Sequence, residues 1–132
     1  GVSSAASDVY KRQAYMGKAS GADGFNEANA ALNIAKGSYQ QAASAANGVK
    51  SNTAALAQIL NKDYAAAKST LNAVANKDAY TSYLLAIVAA RTNDAAGVNT
   101  NLKDAVSKDS SLKSRAAKDL EFAEYKSAVE SL

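Results

Sequence analysis

The chain has 132 residues, 15 Lys and Arg against 12 Asp and Glu, a net charge of +3, and no Cys, His, Pro or Trp. Without Cys or His there is no disulfide framework, no thiol chemistry, no common catalytic triad and no ordinary zinc site. The charges are interspersed, with no basic run and no stacking-aromatic motif, which reads as a solvated mixed-charge surface and argues against nucleic-acid binding. The length suits one domain over 1–132 that can bury a core, and an Ala-rich chain without proline has a helical composition.

In chain order, residues 3–19 read as a leading helix with Ala5, Val9, Tyr10, Tyr15 and Met16 on one side and Asp8 and Arg12 paired four apart. The segment 20–24, with two glycines around Asp23, reads as a loop in which Asp23 could cap the next helix. That helix covers about 25–36 and stops at Gly37. The next covers 38–47 and ends at Asn47 and Gly48. Ser51 or Asn52 caps a helix to about 61, and another starts near Asp63 and ends near Ala75. Asp78 caps a helix over 79–92 that is apolar on nearly every side and therefore expected to be enclosed. Asn93 and Asp94 open a helix over 94–107. Asp109 and Ser110 open the last, over 111–127, with an apolar stripe of Leu112, Ala116, Leu120 and Ala123 backed by Lys113, Lys118, Glu121 and Glu124. No alternation of strand type occurs. The longest uncharged apolar stretch, 79–90, is too short to span a bilayer.

A two-helix rhythm runs through 25–107. Tyr39, Tyr64 and Ala95 hold equivalent places after the turn between paired helices; Ala42, Ala67 and Val98 follow three residues on, then Ala46, Leu71 and Leu102, then Val49, Val74 and Ala105. A small residue recurs twelve positions before the second of these sets, at Ala30, Ala55 and Ala86. Self-similarity at a period of a few tens of residues signals stacked helix pairs.

This pattern resembles the tetratricopeptide repeat. The family's turn glycine and following tyrosine match Gly37 and Tyr39; in the second unit Lys62 replaces the glycine while Tyr64 remains, and in the third Asn93 and Ala95 stand there. The small residue where two helices touch matches Ala30, Ala55 and Ala86, and the alanine of the second helix matches Ala42 and Ala67, with Val98 a departure. The closing proline is missing throughout, and successive units lie 25 and then 31 residues apart against a typical spacing of about 34. Residues 82–125 are similar to the tail of repeat-bearing envelope proteins of Bacteroidetes-type bacteria. The resemblance implies an all-α fold, a short right-handed solenoid of antiparallel helix pairs with about eight helices: a leading helix in 1–20, three degenerate pairs in 25–107 and a capping helix over 111–127.

The implied function is a non-catalytic protein–protein interaction or scaffold module of a larger protein in the bacterial cell envelope, periplasmic or associated with the outer membrane. Its partner would be a protein, a peptide or neighbouring domains of the parent chain, with no cofactor and no metal. The alternative is a structural spacer with no ligand of its own. By the same resemblance, Glu27, Asn52 and Tyr83 occupy groove positions near the starts of the first helices, with Arg91 at the far end of the third; the competing reading packs Tyr83 inside and leaves the others as ordinary surface. The groove-lining faces carry Ile34, Leu56, Ile59, Ile87 and Ala90 beside few charges. Tyr39 and Tyr64 read as packing, and Tyr80 and Tyr83 as packing or ligand contact. Ser110–Lys113 fits the S-x-x-K signature of penicillin-binding enzymes, but the partner motifs S-D-N and K-T-G are missing, so the segment reads as a helix cap. GKASGADG at 17–24 lacks P-loop spacing, and the ligand spacing after Asp23 is wrong for calcium. An enzyme is therefore disfavoured.

Overall fold

The computed structural model describes residues 21–132, with side-chain surroundings from residue 24 onward. Among the described residues the protein is all-α, with eight α-helices, one 3-10 turn and no strand. The leading helix expected at 3–19 lies outside the described residues. The chain divides into two compact units, Gly1–Val74 and Ala75–Leu132.

The first unit carries α1 (Gly21–Ala35), α2 (Tyr39–Ala45), α3 (Asn52–Leu60) and α4 (Tyr64–Ala73). Helix α1 runs through the stretch that the two glycines marked as a loop, and Asp23 stands inside it rather than at its cap. Glycine inside a helix costs about 1 kcal/mol relative to alanine, a penalty that the buried face of α1 can offset. That face is Ala30, Ala31 and Ile34, all nearly without solvent exposure, at the spacing of one helical side. Helix α1 packs on α2 and α3, α2 packs on α3, and α3 packs on α4. Helix α3 is the centre of this unit: seven consecutive residues, Thr53 to Ile59, are buried. Its start is fixed by Ser51, whose side chain accepts a bond from the Ala54 amide at 3.1 Å, satisfying one of the donors a helix start leaves open.

The second unit carries α5 (Ala79–Arg91), α6 (Ala95–Lys108), α7 (Leu112–Lys118), a 3-10 turn (Leu120–Phe122) and α8 (Lys126–Glu130). Asp78 caps α5 through a reciprocal box: its carboxylate accepts from the Thr81 amide at 3.0 Å, and the Asp78 amide donates to the Thr81 hydroxyl at 3.1 Å. Nine residues of α5 are buried, as its apolar circumference implies. The three buried hydroxyls on it are satisfied: Thr81 within the cap, Ser82 by donating to Asp104 of α6, and Tyr83 by donating to Asp119. Asp94 caps α6 by accepting from the Gly97 amide. Helix α6 packs on α5, α7 and α8, and the 3-10 turn packs on α5.

The single helix expected over 111–127 is broken. Helix α7 ends at Lys118, Asp119 turns extended at ψ 123°, and the chain restarts as the 3-10 turn. The cause is the Asp119 carboxylate, which is buried and held from two sides: one oxygen caps the Glu121 amide at 3.0 Å and the other accepts the Tyr83 hydroxyl at 2.6 Å. The break changes the register of the stripe. Leu112 and Ala116 are buried as expected, but Leu120 is 76% exposed and Ala123 is exposed, while Phe122 takes the core position.

The three turns that join α1 to α2, α3 to α4 and α5 to α6 share one backbone. Gly37, Lys62 and Asn93 have φ of +76°, +65° and +59°. After each, the next amide reaches back five residues, Ser38 to Asn33, Asp63 to Gln58 and Asp94 to Ala89, each at 2.8 Å. The turn residue itself bonds three back, to Ile34, Ile59 and Ala90. This is the Schellman closure, made three times at the positions the repeat register aligns. Glycine adopts this left-handed backbone freely, asparagine tolerates it, and lysine is strained by it. A side chain at Gly37 would meet no atom within 4 Å, so only the backbone angle opposes one. Gly37→Ala should therefore lose about 1 kcal/mol. Lys62→Gly should gain about 0.5 kcal/mol, because the freedom of glycine in the unfolded chain offsets part of the relieved strain. Urea midpoints of the two variants, displaced in opposite directions, are the expected result.

The register also holds in burial. Ala30, Ala55 and Ala86 are fully buried, as are Ala42, Ala67 and Val98, and Ala46, Leu71 and Leu102. The last set is less uniform: Val49 and Ala105 are buried and Val74 is half-buried.

Candidate functional site

The residues that sequence placed in a groove lie in both units. Glu27, on α1, is buried at 8% exposure. Asn52 is half-buried at the first position of α3, next to the Ser51 cap. Tyr83 and Arg91 stand eight residues apart on α5 and both hold the segment that follows α7.

Tyr83 is 1% exposed. Its ring meets Phe122 edge to face, with centroids 5.5 Å apart at 79°, the arrangement that the aromatic quadrupole favours. Its hydroxyl donates to Asp119 Oδ2 at 2.6 Å. Arg91 grips Glu121 with two parallel bonds, Nε to Oε2 at 3.0 Å and Nη2 to Oε1 at 2.7 Å. The two side chains are only 14% and 6% exposed, so this bidentate pair is shielded from the screening that weakens surface ion pairs. The Tyr125 hydroxyl donates to the Ala90 carbonyl at 3.2 Å. Tyr83 is thus not an exposed groove position, and the ion pair of Arg91 lies within the fold. The physical reason is the break at Asp119, which brings a carboxylate, a glutamate and two aromatic rings back onto α5.

Sequence reasoning missed Asp119, Glu121 and Phe122. The signal was an aspartate followed three residues later by the second phenylalanine of a chain that has two, inside what read as an unbroken amphipathic helix. Glu121 was read as part of its solvated side.

The electrostatics follow from this packing. Burial, with the added hydrogen bond to the Asp119 carboxylate, pushes the Tyr83 hydroxyl far above the ordinary tyrosine range. Its contribution is present below the ordinary tyrosine value and is lost as pH rises above it, where unfolding frees the phenol to ionise. The bond from Ser82, and next the Lys108 ammonium at 3.1 Å, hold the Asp104 carboxyl below its usual value of 3.8. That contribution is present above the usual carboxylate range and is lost as pH falls through it. Ser82→Ala should accordingly flatten the acid side of the stability profile while leaving the alkaline side in place, as urea midpoints across pH would record.

The hydroxyl of Tyr83 also gives a direct test. Tyr83→Phe keeps the ring and removes one donor from a buried carboxylate. It should cost about 1.5–3 kcal/mol, the range for a hydrogen bond to a charged group, against a change near zero for Tyr39→Phe, whose side chain is half-buried. Equal losses in the two variants would remove the special role of the bond to Asp119.

Among the described residues, no three His, Cys, Asp or Glu side chains converge as a metal cluster would, and no helix is long and apolar enough to cross a membrane. Ser110 and Lys113 are both exposed; Ser110 and Ser111 form the turn before α7, in which Asp109 Oδ1 accepts from the Ser111 amide at 3.1 Å and its hydroxyl at 2.6 Å, and Lys113 lies in α7. No protein-family model, no curated protein and no solved structure matches the chain.

Proposed function

We propose that the protein is a non-catalytic tetratricopeptide-like module, a short right-handed solenoid of antiparallel helix pairs, that serves protein–protein interaction or scaffolding within a larger bacterial envelope protein. The observation that supports it is the threefold turn: Gly37, Lys62 and Asn93 share one left-handed closure, and the alanines that precede them at the repeat spacing are all fully buried. Helix pairs stacked through small residues present extended surfaces on which partners dock. The envelope location rests on the resemblance of residues 82–125 alone.

The spacer reading is favoured by a separate observation. Of the residues that would line an open groove, Ile34, Leu56, Ile59 and Ile87 are buried and Ala90 is half-buried, and Tyr83 and Arg91 are engaged within the fold. The two readings separate in the native host. A photo-crosslinking residue at Phe25 or Leu32, both exposed on α1, should form one discrete adduct with an envelope protein if the module binds. A chain that fractionates with the envelope but gives no discrete adduct at either position is the result expected of a spacer. A chain found in the cytoplasm would overturn the envelope assignment itself.

A further inference from the structure

The first unit contains an open surface pocket of about 240 Å³ between the loop that joins α2 to α3 and the outer side of α4. Its polar lining is Asn47, Lys50, Gln58, Ser69 and Thr70, and no Asp or Glu contributes to it. The loop wall is shaped by Gly48 at φ +82°, a backbone that glycine adopts without strain. Gln58 differs from the rim residues in being buried, at 9% exposure, on the otherwise apolar α3. Its Oε1 accepts from the Thr70 hydroxyl at 2.7 Å. Its Nε2 bonds to no described residue. Yet no fully buried side-chain nitrogen or oxygen among the described residues lacks a partner, so Nε2 keeps some solvent access, and the pocket is the space that Gln58 lines. A carboxamide NH2 only donates. Lys50 and Ser69, both exposed at the mouth, add an ammonium and a hydroxyl that can donate to the same space.

We propose that this pocket is a binding site for an oxyanion group, phosphate or carboxylate, carried by a small molecule. The chemistry is one-sided. Lys50 supplies the charge at the rim, the Gln58 amide supplies a donor at the floor, and no carboxylate in the lining competes with an anion. The fixed floor matters most: Gln58 is held by Thr70 and by its burial, so its donor is already oriented before a ligand arrives, and little side-chain freedom is lost on binding. The volume is about eight times the share of one liquid water molecule, room for an oxyanion with a short body attached. The site does not depend on the interaction reading, since a module with no protein partner could carry it.

The test uses the full 132-residue chain, labelled with nitrogen-15, titrated with inorganic phosphate and separately with acetate at matched ionic strength. The expected result is a saturable shift of the Gln58 side-chain NH2 and of the Lys50, Ser69 and Thr70 amides. Saturation by phosphate alone assigns a phosphoryl ligand; comparable saturation by both assigns an oxyanion of either kind. Lys50→Gln should weaken binding by about tenfold, on the scale of one charge-assisted bond, whereas Lys113→Gln in the second unit should leave it unchanged. Gln58→Glu places a negative charge on the floor and should abolish binding. Where that variant does not fold by its melting curve, Lys50→Gln, at an exposed position, decides alone. Shifts that stay linear to the highest concentration, or that Lys50→Gln and Lys113→Gln alter equally, would overturn the site.

Discussion

Truncation after Asp109 is expected to abolish cooperative unfolding of the second unit and to bring on aggregation. Residues 110–132 contribute Leu112, Ala116, Phe122 and Val129 to its core. They also supply the partners of Tyr83 and Arg91, namely Asp119 and Glu121. Burying a Leu, Phe or Val side chain contributes about 1.5–3 kcal/mol, so the three large ones together are of the order of the whole net stability of a domain this size, about 5–15 kcal/mol. The loss would uncover the sides of α5 and α6 that the 3-10 turn, α7 and α8 now cover, and contiguous exposed apolar surface drives association. Size-exclusion chromatography and thermal unfolding of the truncated chain check this. A monomer with the melting curve of the full chain would contradict it, and would mean that the segment after Asp109 is an appendage and not a cap. A milder variant, Phe122→Ala, should cost about 3–5 kcal/mol and leave the chain length unchanged, separating the packing of one ring from the presence of the segment.

Most helix limits were legible because they rest on local rules. Helix starts were expected at Ser51 or Asn52, at Asp78 and at Asn93–Asp94, and Ser51, Asp78 and Asp94 accept the bond that a start needs. Gly37 and Gly48 were expected to stop one and both adopt the left-handed backbone. The recurrence of that backbone at Lys62 and Asn93 could be aligned from the repeat, although neither residue would announce it alone. The failures have the opposite character. Helix α1 continues through residues 21–24, since a glycine weakens a helix without forbidding it. Where α7 stops, Asp119 combines a local cap on the Glu121 amide with a tertiary bond from a tyrosine 36 residues away in sequence, and no local pattern can report the second.

The candidate groove residues show the same division. Tyr83 and Arg91 were placed in a groove by the family resemblance, and both are amphipathic side chains on an apolar helix. That chemistry serves a partner equally well when the partner lies in the same chain, and here Asp119, Glu121 and Phe122 fill that part. Gln58 is one polar residue in an apolar run, and its burial, its bond to Thr70 and its place in the pocket lining come from the fold. Sequence can mark a polar residue on an apolar helix, but whether its second hydrogen-bonding end is closed by protein or left to a pocket depends on residues from another helix.

The equivalence of the small sites leads to the second large effect. Ala55 on α3 and Ala86 on α5 have no solvent exposure and sit at matching places in the repeat. If small size is what those places require, Ala55→Leu and Ala86→Leu should each cost about 1–3 kcal/mol, since added methylenes in a packed interior force off-rotamer side chains and backbone shifts. The sign is informative because the intrinsic terms oppose it weakly: leucine is nearly as good a helix former as alanine, and it would gain free energy from burial if there were room. Ala65→Leu is the control, at an exposed position of α4, where surface substitutions usually stay within about 0.5 kcal/mol. Urea midpoints lowered in both buried variants and unchanged in the control are the expected outcome. The two alanines also lie in different units, so each variant tests the register independently. A midpoint raised by Ala55→Leu or Ala86→Leu would mean that the site had unfilled space, and close approach of backbones would no longer explain why an alanine recurs there.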